Sequence, residues 1–234
     1  MDQVNIQAAT LNDLSKLLKG DIRSDSITRT IYSTDASMYM EEPLAVAWPA
    51  DEDDLMILLD YARQNNTSLI MRGAGTSLAG QVVGSGIVVD ISRHMNRILE
   101  VNCDEQWVRV QPGVVLEELN KELKALGLFF GPETSTANRC TMGGMLGNNA
   151  CGLHSLRYGS TREHTLEIKA ILSDGSKVVF KELSVEEFKS RCLQDDLEGS
   201  IYKKINDILS DDEMAKKIRD EYPDPSVPRR NTGY

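Results

Sequence analysis

The residues best suited to bind an anion lie in one stretch with little side-chain bulk, Arg72–Gln81, which reads Arg-Gly-Ala-Gly-Thr-Ser-Leu-Ala-Gly-Gln. It follows the apolar run 68–71, which predicts a short buried strand. Glycine lets backbone N–H groups turn toward an anion and approach it closely. The Thr76 and Ser77 hydroxyls add donors, and the Arg72 guanidinium adds positive charge. The stretch is therefore predicted to bind a diphosphate.

The spacing of this stretch differs from the two common phosphate-loop motifs. No lysine follows it, as G-x-x-x-x-G-K-[ST] requires, and Leu78 stands where G-x-G-x-x-G has its third glycine. A plain surface turn is the alternative, because glycine loops after strands also occur without any ligand.

A second glycine-rich window lies later in the chain. Eleven of the 17 glycines fall within residues 73–86 and 131–159, a bias that indicates backbone packed closely against something flat or charged. Within the second window, 141–152 could begin a helix at Thr141, although its four glycines give poor helix propensity. Poor propensity of this kind indicates a ligand or a close helix contact, and the alternative is a flexible loop.

Composition restricts the class of protein. The chain has 234 residues, 41% of them hydrophobic and 26% charged, which is typical of an ordinary soluble protein. A formal net charge of -10 argues against a nucleic-acid surface. No apolar run reaches transmembrane length and the opening residues resemble no signal peptide, so a cytoplasmic location is expected, with peripheral membrane association left open.

The four cysteines are widely spaced and are interpreted as reduced thiols. Cys140, Cys151 and His154 could in principle form a metal site, but their spacing matches no standard zinc pattern. No metal is therefore expected.

Hydrophobic periodicity predicts a small parallel α/β unit in the first part of the chain. Helices are predicted at 10–19 and 51–65, and strands at 44–48, 68–71 and 86–91, whereas 22–39 is predicted to be irregular. In a parallel unit of this kind the glycine loop leaves the carboxyl end of its strand, where ligands bind in α/β sheets.

Later elements follow from the same patterns. A strand at 107–111 precedes a helix at 114–126, and 166–180 predicts a β-hairpin with its turn at Asp174-Gly175. Helical periodicity at Ile201, Ile205, Ile208 and Leu209 predicts a solvated helix within the acidic stretch 182–224.

Several of these motifs, taken in order, resemble one known family. They are Arg72–Gly80, Val110–Val114, Gly131-Pro132, Gly143–Gly152, Arg157–Thr161 and the Asp174-Gly175 hairpin. Together they resemble the FAD-binding domain of the p-cresol methylhydroxylase/vanillyl-alcohol oxidase (PCMH) type. The branch they resemble is that of the FAD-linked 2-hydroxy-acid oxidases and dehydrogenases: glycolate oxidase flavin subunit, D-lactate dehydrogenase and D-2-hydroxyglutarate dehydrogenase. The resemblance runs from about residue 30 to the end.

The resemblance implies an α+β fold in which a small parallel α/β subdomain precedes a larger, mainly antiparallel one with flanking helices. The implied boundaries are 1–105 for the first FAD-binding subdomain, 106–225 for the second, and 226–234 for the start of a substrate region.

The resemblance also implies the cofactor-binding residues. The phosphate loop would supply Arg72, Gly73, Ala74, Gly75, Thr76, Ser77, Leu78 and Gln81. Residues along the cofactor and around the flavin would be Pro112, Gly113, Val114, Pro132, Thr134, Gly143, Gly144, Asn148, Ala150, Gly152, Tyr158, Gly159, Ser160 and, near the adenine, Ile168. Thr76 stands where covalently flavinylated members often have histidine, so non-covalent FAD is implied.

The activity implied by the resemblance is oxidation of a small 2-hydroxy acid to the 2-oxo acid. The catalytic residues and the substrate cap would lie C-terminal to Tyr234, so this chain would be the flavin-binding portion of a longer enzyme. Arg229, Arg230 and Thr232 are the candidate substrate residues. The resemblance does not identify the electron acceptor. An iron–sulfur module, fused or separate, is one candidate acceptor.

Two other functions stay open on the sequence. An FAD-dependent enolpyruvyl-sugar reductase of the UDP-N-acetylmuramate type shares this type of FAD domain. A nucleotide-binding module without flavin and without catalysis is the non-enzymatic alternative.

Overall fold

The computed structural model describes residues 11–224, 226 and 227. The helices, in chain order, are α1 (Leu11–Leu17), α2 (Ser26–Tyr32), α3 (Glu52–Gln64), α4 (Leu116–Lys124), α5 (Met142–Gly147), α6 (Ser155–Tyr158), α7 (Val185–Cys192), α8 (Leu197–Ser210) and α9 (Asp212–Glu221). The strands are β1 (Asp21–Arg23), β2 (Ala45–Trp48), β3 (Leu69–Arg72), β4 (Ile87–Asp90), β5 (Ile98–Asn102), β6 (Trp107–Val110), β7 (Glu167–Ile171) and β8 (Lys177–Lys181). A 3-10 helix covers Thr161–His164.

The chain divides into two compact units after Arg162. The first contains every element from α1 to α6, and the second contains β7, β8 and α7–α9. The subdomain boundary expected at 105/106 stays a prediction.

A four-stranded sheet organises the first unit, in the order β1-β2-β4-β3. Strands β2 and β3 both run parallel to β4, which confirms the predicted parallel α/β unit, and β1 adds an antiparallel edge. Every residue of β2 and β4 is buried, because these strands occupy the centre of the sheet. Helices α1 and α3 supply Leu14, Leu58 and Tyr61 to the core over this sheet.

Two sequence-based predictions about this unit were wrong. The stretch 22–39 is not irregular, since it contains most of β1 and all of α2. Helix α2 exposes Ile27 and Ile31. Its isoleucines therefore do not form the apolar, core-facing stripe that is typical of a surface helix. Strand β3 is not buried either: it is the edge strand, and Met71 is exposed.

The segment after β4 confirms the predicted strand and helix and adds one strand. Strand β6 pairs antiparallel with β5, which the sequence analysis did not identify. Helix α4 buries Leu116, Leu119 and Leu123 along one face. Leu126, the last residue of the predicted helix 114–126, lies beyond the end of α4 and is exposed.

The second unit contains the predicted hairpin and helices. Strands β7 and β8 pair in continuous antiparallel register, and Gly175 in the turn has a positive φ of 89°. The periodicity at 201–209 corresponds to α8. The α+β class is confirmed, although in the described part of the chain the antiparallel strands β5–β8 form two two-stranded sheets instead of one larger sheet.

Asp54 provides a test of what holds the α1–α3 end of the first unit together. Its side chain is fully buried and accepts hydrogen bonds from the backbone N–H groups of Lys19, Gly20 and Ala50 at 2.8–2.9 Å. We expect Asp54→Ala to lower the free energy of unfolding by about 2–4 kcal/mol, because buried donors lose their acceptor. Urea unfolding measures the change.

Asp53→Ala is the matched control on the same helical turn. Its carboxylate is exposed and, among the residues that the structure describes, pairs only with the Lys19 ammonium, at 2.8 Å, so the expected loss is about 1 kcal/mol or less. Equal losses for the two variants would contradict a structural role for Asp54.

Candidate functional site

The glycine loop leaves the sheet where the predicted parallel unit requires it. Arg72 is the last residue of β3 and lies opposite Asp90, the last residue of β4, so the loop begins at the carboxyl edge of the parallel strands. Gly75 has φ +66°, a conformation that disfavours other residues. The chain therefore turns sharply within three residues of the strand.

The backbone donors of this loop are unusual in having no internal acceptor. No N–H group of residues 73–78 donates a hydrogen bond to another described residue. The Ser77 hydroxyl oxygen is buried and also has no hydrogen-bond partner in the part of the chain that the structure describes. Successive N–H groups without acceptors are characteristic of anion-binding loops, and buried polar groups are normally paired. The loop is thus chemically suited to an anionic ligand.

The Arg72 side chain folds under its own loop. Its guanidinium lies 5.0 Å from the centroid of the Tyr32 ring and contacts the carbonyl oxygens of Tyr32 and Val82, both at 3.4 Å. A Cβ added to Gly75 would lie only 2.5 Å from Nη2 of Arg72. Positive charge is thus placed directly against the loop.

The two glycine windows meet at Gly73 and Thr141. A Cβ on Gly73 would overlap the Thr141 hydroxyl and lie 3.0 Å from its methyl group, so only glycine permits this approach. Thr141 is the N-cap of α5, and its hydroxyl accepts from the Gly144 N–H at 3.3 Å. The predicted helix start at this threonine is confirmed, and the two windows are in direct contact at this point.

Residues 112–114 join the same cluster. The Met142 N–H donates to the Val114 carbonyl, and the Gly143 N–H to the Pro112 carbonyl, both at 2.8 Å. These bonds and the Thr141 cap use the first donors of α5. Gly143 and Gly144 therefore serve close packing in this structure, and their N–H groups are not available as anion donors.

The remainder of the second window folds onto 131–134 and 158–161. The Ala150 carbonyl accepts from the Thr161 N–H and hydroxyl, at 3.0 and 2.8 Å. The ring of Tyr158 packs against Gly131 and meets Phe129 edge-on at 5.3 Å. The backbone of Glu133–Thr134 lies against Gly152. Pro132, Thr134, Ala150, Gly152, Tyr158, Gly159 and Ser160 are thereby brought together in one region.

Asn149 also belongs to this region, whereas the sequence analysis named its neighbour Asn148 instead. Its φ is +44°, and its Oδ1 accepts from the Ser160 hydroxyl at 2.7 Å and from the Arg162 N–H at 3.0 Å. Its Nδ2 is buried without a hydrogen-bond partner among the described residues. Asn148, by contrast, is exposed. The preference of asparagine for positive φ is the only sequence signal for this role.

The segment after α2 was also missed. The Ala36 N–H donates to the Gly75 carbonyl at 3.0 Å, and the Tyr39 ring packs against Gly80. Residues 33–40 therefore support the glycine loop from one side. Their turn-forming composition, Ser-Thr-Asp-Ala-Ser at 33–37, was the available signal.

Several predicted residues are not part of these clusters. Leu78 and Gln81 are exposed at the far end of the loop. Ile168 lies in β7 of the second unit. Arg229, Arg230 and Thr232 lie outside the described residues.

Cys140 and His154 have local partners. Cys140 Sγ lies 3.3 Å from the Thr134 hydroxyl, and His154 Nδ1 lies 2.6 Å from a carboxylate oxygen of Glu133. Within 11–224, 226 and 227, no three His, Cys, Asp or Glu side chains are grouped closely enough to hold a metal ion.

Comparison with known families agrees with this geometry. The family described as FAD binding domain matches residues 43–181. That range includes the glycine loop, residues 112–114 and the whole second window.

Among curated proteins, the chain is similar to dehydrogenases and an oxidase subunit that are named for 2-hydroxy acids. It is 40% identical to D-2-hydroxyglutarate dehydrogenase of Pseudomonas putida over 92% of this chain and 21% of that protein. It is 41% identical to the enzyme of the same name from Escherichia coli, with the same coverage. Glycolate oxidase subunit GlcD of Bacillus subtilis is 33% identical over 63% of this chain and 32% of its own length. The chain thus spans about a fifth of the length of the first two.

Solved structures support the fold. The chain superposes on 6-hydroxy-D-nicotine oxidase from Arthrobacter nicotinovorans with a TM-score of 0.64, at 22% identity, over 74% of this chain and 38% of that one. An alkyldihydroxyacetonephosphate synthase gives 0.61 at 20% identity, over 69% of this chain and 33% of that one. Among the described residues, no helix has the length and apolar character needed to cross a bilayer.

The contact between the windows can be tested by Gly73→Ala. The new methyl group would overlap Thr141, so we expect the free energy of unfolding to fall by about 1–3 kcal/mol. Adding Thr141→Ala should recover part of that loss, because it removes the overlapping atoms. Thermal and urea unfolding of the two single variants and the double variant measure the coupling.

Gly84→Ala is the control, since its methyl group would meet only the flexible end of Ile70, at 3.2 Å. We expect a change of about 1 kcal/mol or less. Additive effects of Gly73→Ala and Thr141→Ala would contradict the contact.

Proposed function

The chain belongs to the family of FAD binding domains, and from this premise we propose that it is the flavin-binding portion of an oxidoreductase that converts a 2-hydroxy acid to the 2-oxo acid. Its named relatives act on 2-hydroxyglutarate, glycolate or lactate. Because the chain spans only about a fifth of the first relatives, the activity of a whole enzyme is part of the proposal.

One observation carries the assignment of the diphosphate site. Residues 73–78 have six consecutive backbone N–H groups without an acceptor in the described part of the chain, and the buried Ser77 hydroxyl lies among them without a partner. A diphosphate supplies acceptor oxygens for such donors, and the adjacent Arg72 guanidinium supplies opposite charge. The residues present therefore fit the phosphate portion of FAD.

The remaining cofactor contacts are assigned to the second window. Ala150, Gly152 and Ser160 lie with Asn149, whose unpartnered Nδ2 is a donor suited to a carbonyl or hydroxyl of the flavin portion. Pro112–Val114 and Gly143–Gly144 would shape the wall by packing. The chemistry that FAD supplies when bound is acceptance of a hydride equivalent, while the protein binds and orients it.

Other parts of the proposal concern groups outside this structure. Thr76 in place of a linking histidine favours non-covalent FAD. The Arg229-Arg230 pair is proposed to bind the substrate carboxylate in two-point geometry. The electron acceptor, with an iron–sulfur module as one candidate, and the cytoplasmic location stay predictions.

The cofactor prediction is tested by the absorption spectrum. We expect the purified chain, after incubation with FAD and gel filtration, to show visible flavin bands. Acid precipitation should release all of the flavin into the supernatant, because no covalent bond holds it. A colourless chain that is nevertheless folded by circular dichroism would overturn the proposal, and colour retained in the pellet would contradict non-covalent binding.

The reaction is tested with a chimera. This chain would replace the corresponding N-terminal portion of the Pseudomonas putida relative, whose full chain is the control. We expect dye reduction that depends on D-2-hydroxyglutarate, D-lactate or glycolate, whereas the 234-residue chain by itself should show little or none. A chimera that binds FAD stoichiometrically but oxidises none of the three acids would refute the 2-hydroxy-acid assignment. Strong turnover by the isolated chain would refute the placement of the catalytic residues beyond Tyr234.

Ser77→Ala tests the phosphate loop. Loss of a buried donor to a charged ligand should raise the Kd for FAD by roughly tenfold, measured by flavin fluorescence. Ser85→Ala, an exposed serine further along the same connection, is the control and should leave the Kd unchanged. Equal Kd values for the two variants would remove Ser77 from the site.

A further inference from the structure

The charge placed against the glycine loop is not neutralised by a carboxylate. Arg72 forms no ion pair with any residue in the described ranges, and its contacts are two carbonyl oxygens and one aromatic face. Both carbonyl contacts are 3.4 Å long, which is weak by hydrogen-bond standards. The ring of Tyr32, together with the Tyr32 carbonyl, therefore provides most of what holds the guanidinium in place.

Tyr32 is itself held firmly. Its hydroxyl donates to Asp90 Oδ2 at 2.6 Å and accepts from the Trp48 indole N–H at 3.2 Å. Its ring meets the Trp48 ring edge-on at 5.7 Å and packs with Val46 and Val88 on the central strands. Burial, followed by the hydrogen bond to Asp90, raises the pKa of Tyr32 to about 12, so the hydroxyl stays a donor at neutral pH.

The same hydrogen bond engages Asp90, the carboxylate opposite Arg72 in the sheet. Arg72 and Asp90 are register partners on adjacent parallel strands, an arrangement that favours an ion pair. Instead, Asp90 Oδ2 accepts from Tyr32, and Oδ1 accepts from the Ser92 N–H and hydroxyl at 2.9 and 2.6 Å. Each oxygen thus accepts from a donor other than Arg72, and among the described residues no ion pair joins Asp90 to the guanidinium, whose charge is left for the loop.

From these contacts we propose that Tyr32 is the positioning residue of the anion site. Its ring and carbonyl hold the Arg72 guanidinium under Gly75, and its hydroxyl keeps Asp90 from pairing with that guanidinium. The inference rests on the proposed function of the loop as a diphosphate site. It assigns to α2, which ends at Tyr32, a role in ligand binding although none of the proposed contact residues lies on that helix.

The test compares FAD binding by Arg72→Ala, Tyr32→Leu, Tyr32→Phe and the Arg72→Ala/Tyr32→Leu double variant of the full 234-residue chain. Kd is measured at low and at high salt, because attraction between a guanidinium and a diphosphate is screened by salt. We expect Arg72→Ala to raise the low-salt Kd by roughly tenfold and to flatten its salt dependence.

Tyr32→Leu should reproduce both effects, and the double variant should bind no more weakly than Arg72→Ala. Tyr32→Phe keeps the ring but frees Asp90, so it should raise the low-salt Kd by a smaller factor and reduce the salt dependence. This variant also decides the matter if Tyr32→Leu fails to fold.

Tyr61→Leu is the matched control, since Tyr61 is a buried tyrosine of the same unit, on α3, within the core over the sheet. It should lower the melting temperature while keeping the wild-type salt dependence of FAD binding. If Tyr32→Leu and Tyr32→Phe also keep that dependence, or if the double variant shows additive losses, the positioning role is refuted while FAD binding stands. Failure of the wild-type chain to bind FAD would refute the proposed function itself.

Discussion

The absence of a side chain at Gly73 is the constraint on which the site depends. It lets the loop after β3 lie directly against Thr141, the N-cap of α5. The two residues are 68 positions apart in the chain. Contacts between residues so distant in sequence must be favourable enough to offset the entropy of closing the intervening chain. Here the compensation includes the backbone pairing of 141–143 with 112–115 and the burial of Leu116 and Met145 beside it.

Two sets of backbone N–H donors in this region differ in whether the described chain supplies their acceptors. The donors at the start of α5 are satisfied internally by Pro112, Val114 and Thr141, which makes that helix end part of the frame. The donors of 73–78 have no such acceptors within the described chain. Glycine contributes to both, through close packing at Gly143 and through a turned backbone at Gly75. The glycine bias in the sequence therefore indicated a ligand-binding region. It could not distinguish glycines that allow close packing from glycines that turn backbone N–H groups toward a ligand.

Much of this arrangement could be predicted from the sequence because local patterns determine it. The alternation of strands and helices gave β2, α3, β3 and β4, and the parallel register then fixed where the loop after β3 must emerge. Thr141 was recognisable as a cap because its residue type and position suit one. What the sequence could not reveal depends on long-range placement. Tyr32 matters because of partners 40 and 58 positions away, Arg72 and Asp90.

Other misses have equally physical causes. Helix α2 exposes its isoleucines, so its pattern carries no core-facing stripe, and β3 is apolar although it lies at the sheet edge. Composition reports how much apolar surface a segment has, but position in the sheet decides how much of it is covered. Asn148 is exposed, whereas Asn149 is buried and adopts positive φ, a difference between two identical residue types that the sequence does not determine.

The Ser77 hydroxyl has a thermodynamic consequence. Its oxygen is buried and has no hydrogen-bond partner in the part of the chain that the structure describes, which lowers the stability of the folded state, as is common where a site is arranged for a ligand. A ligand that supplies the missing acceptors binds only the folded chain and restores that stability in proportion to the logarithm of its concentration over Kd. The sheet core, in which every residue of β2 and β4 is buried, stabilises the fold enough to tolerate this loss of stability when no ligand is bound. Binding affinity and apparent stability are thus set by the same few donors.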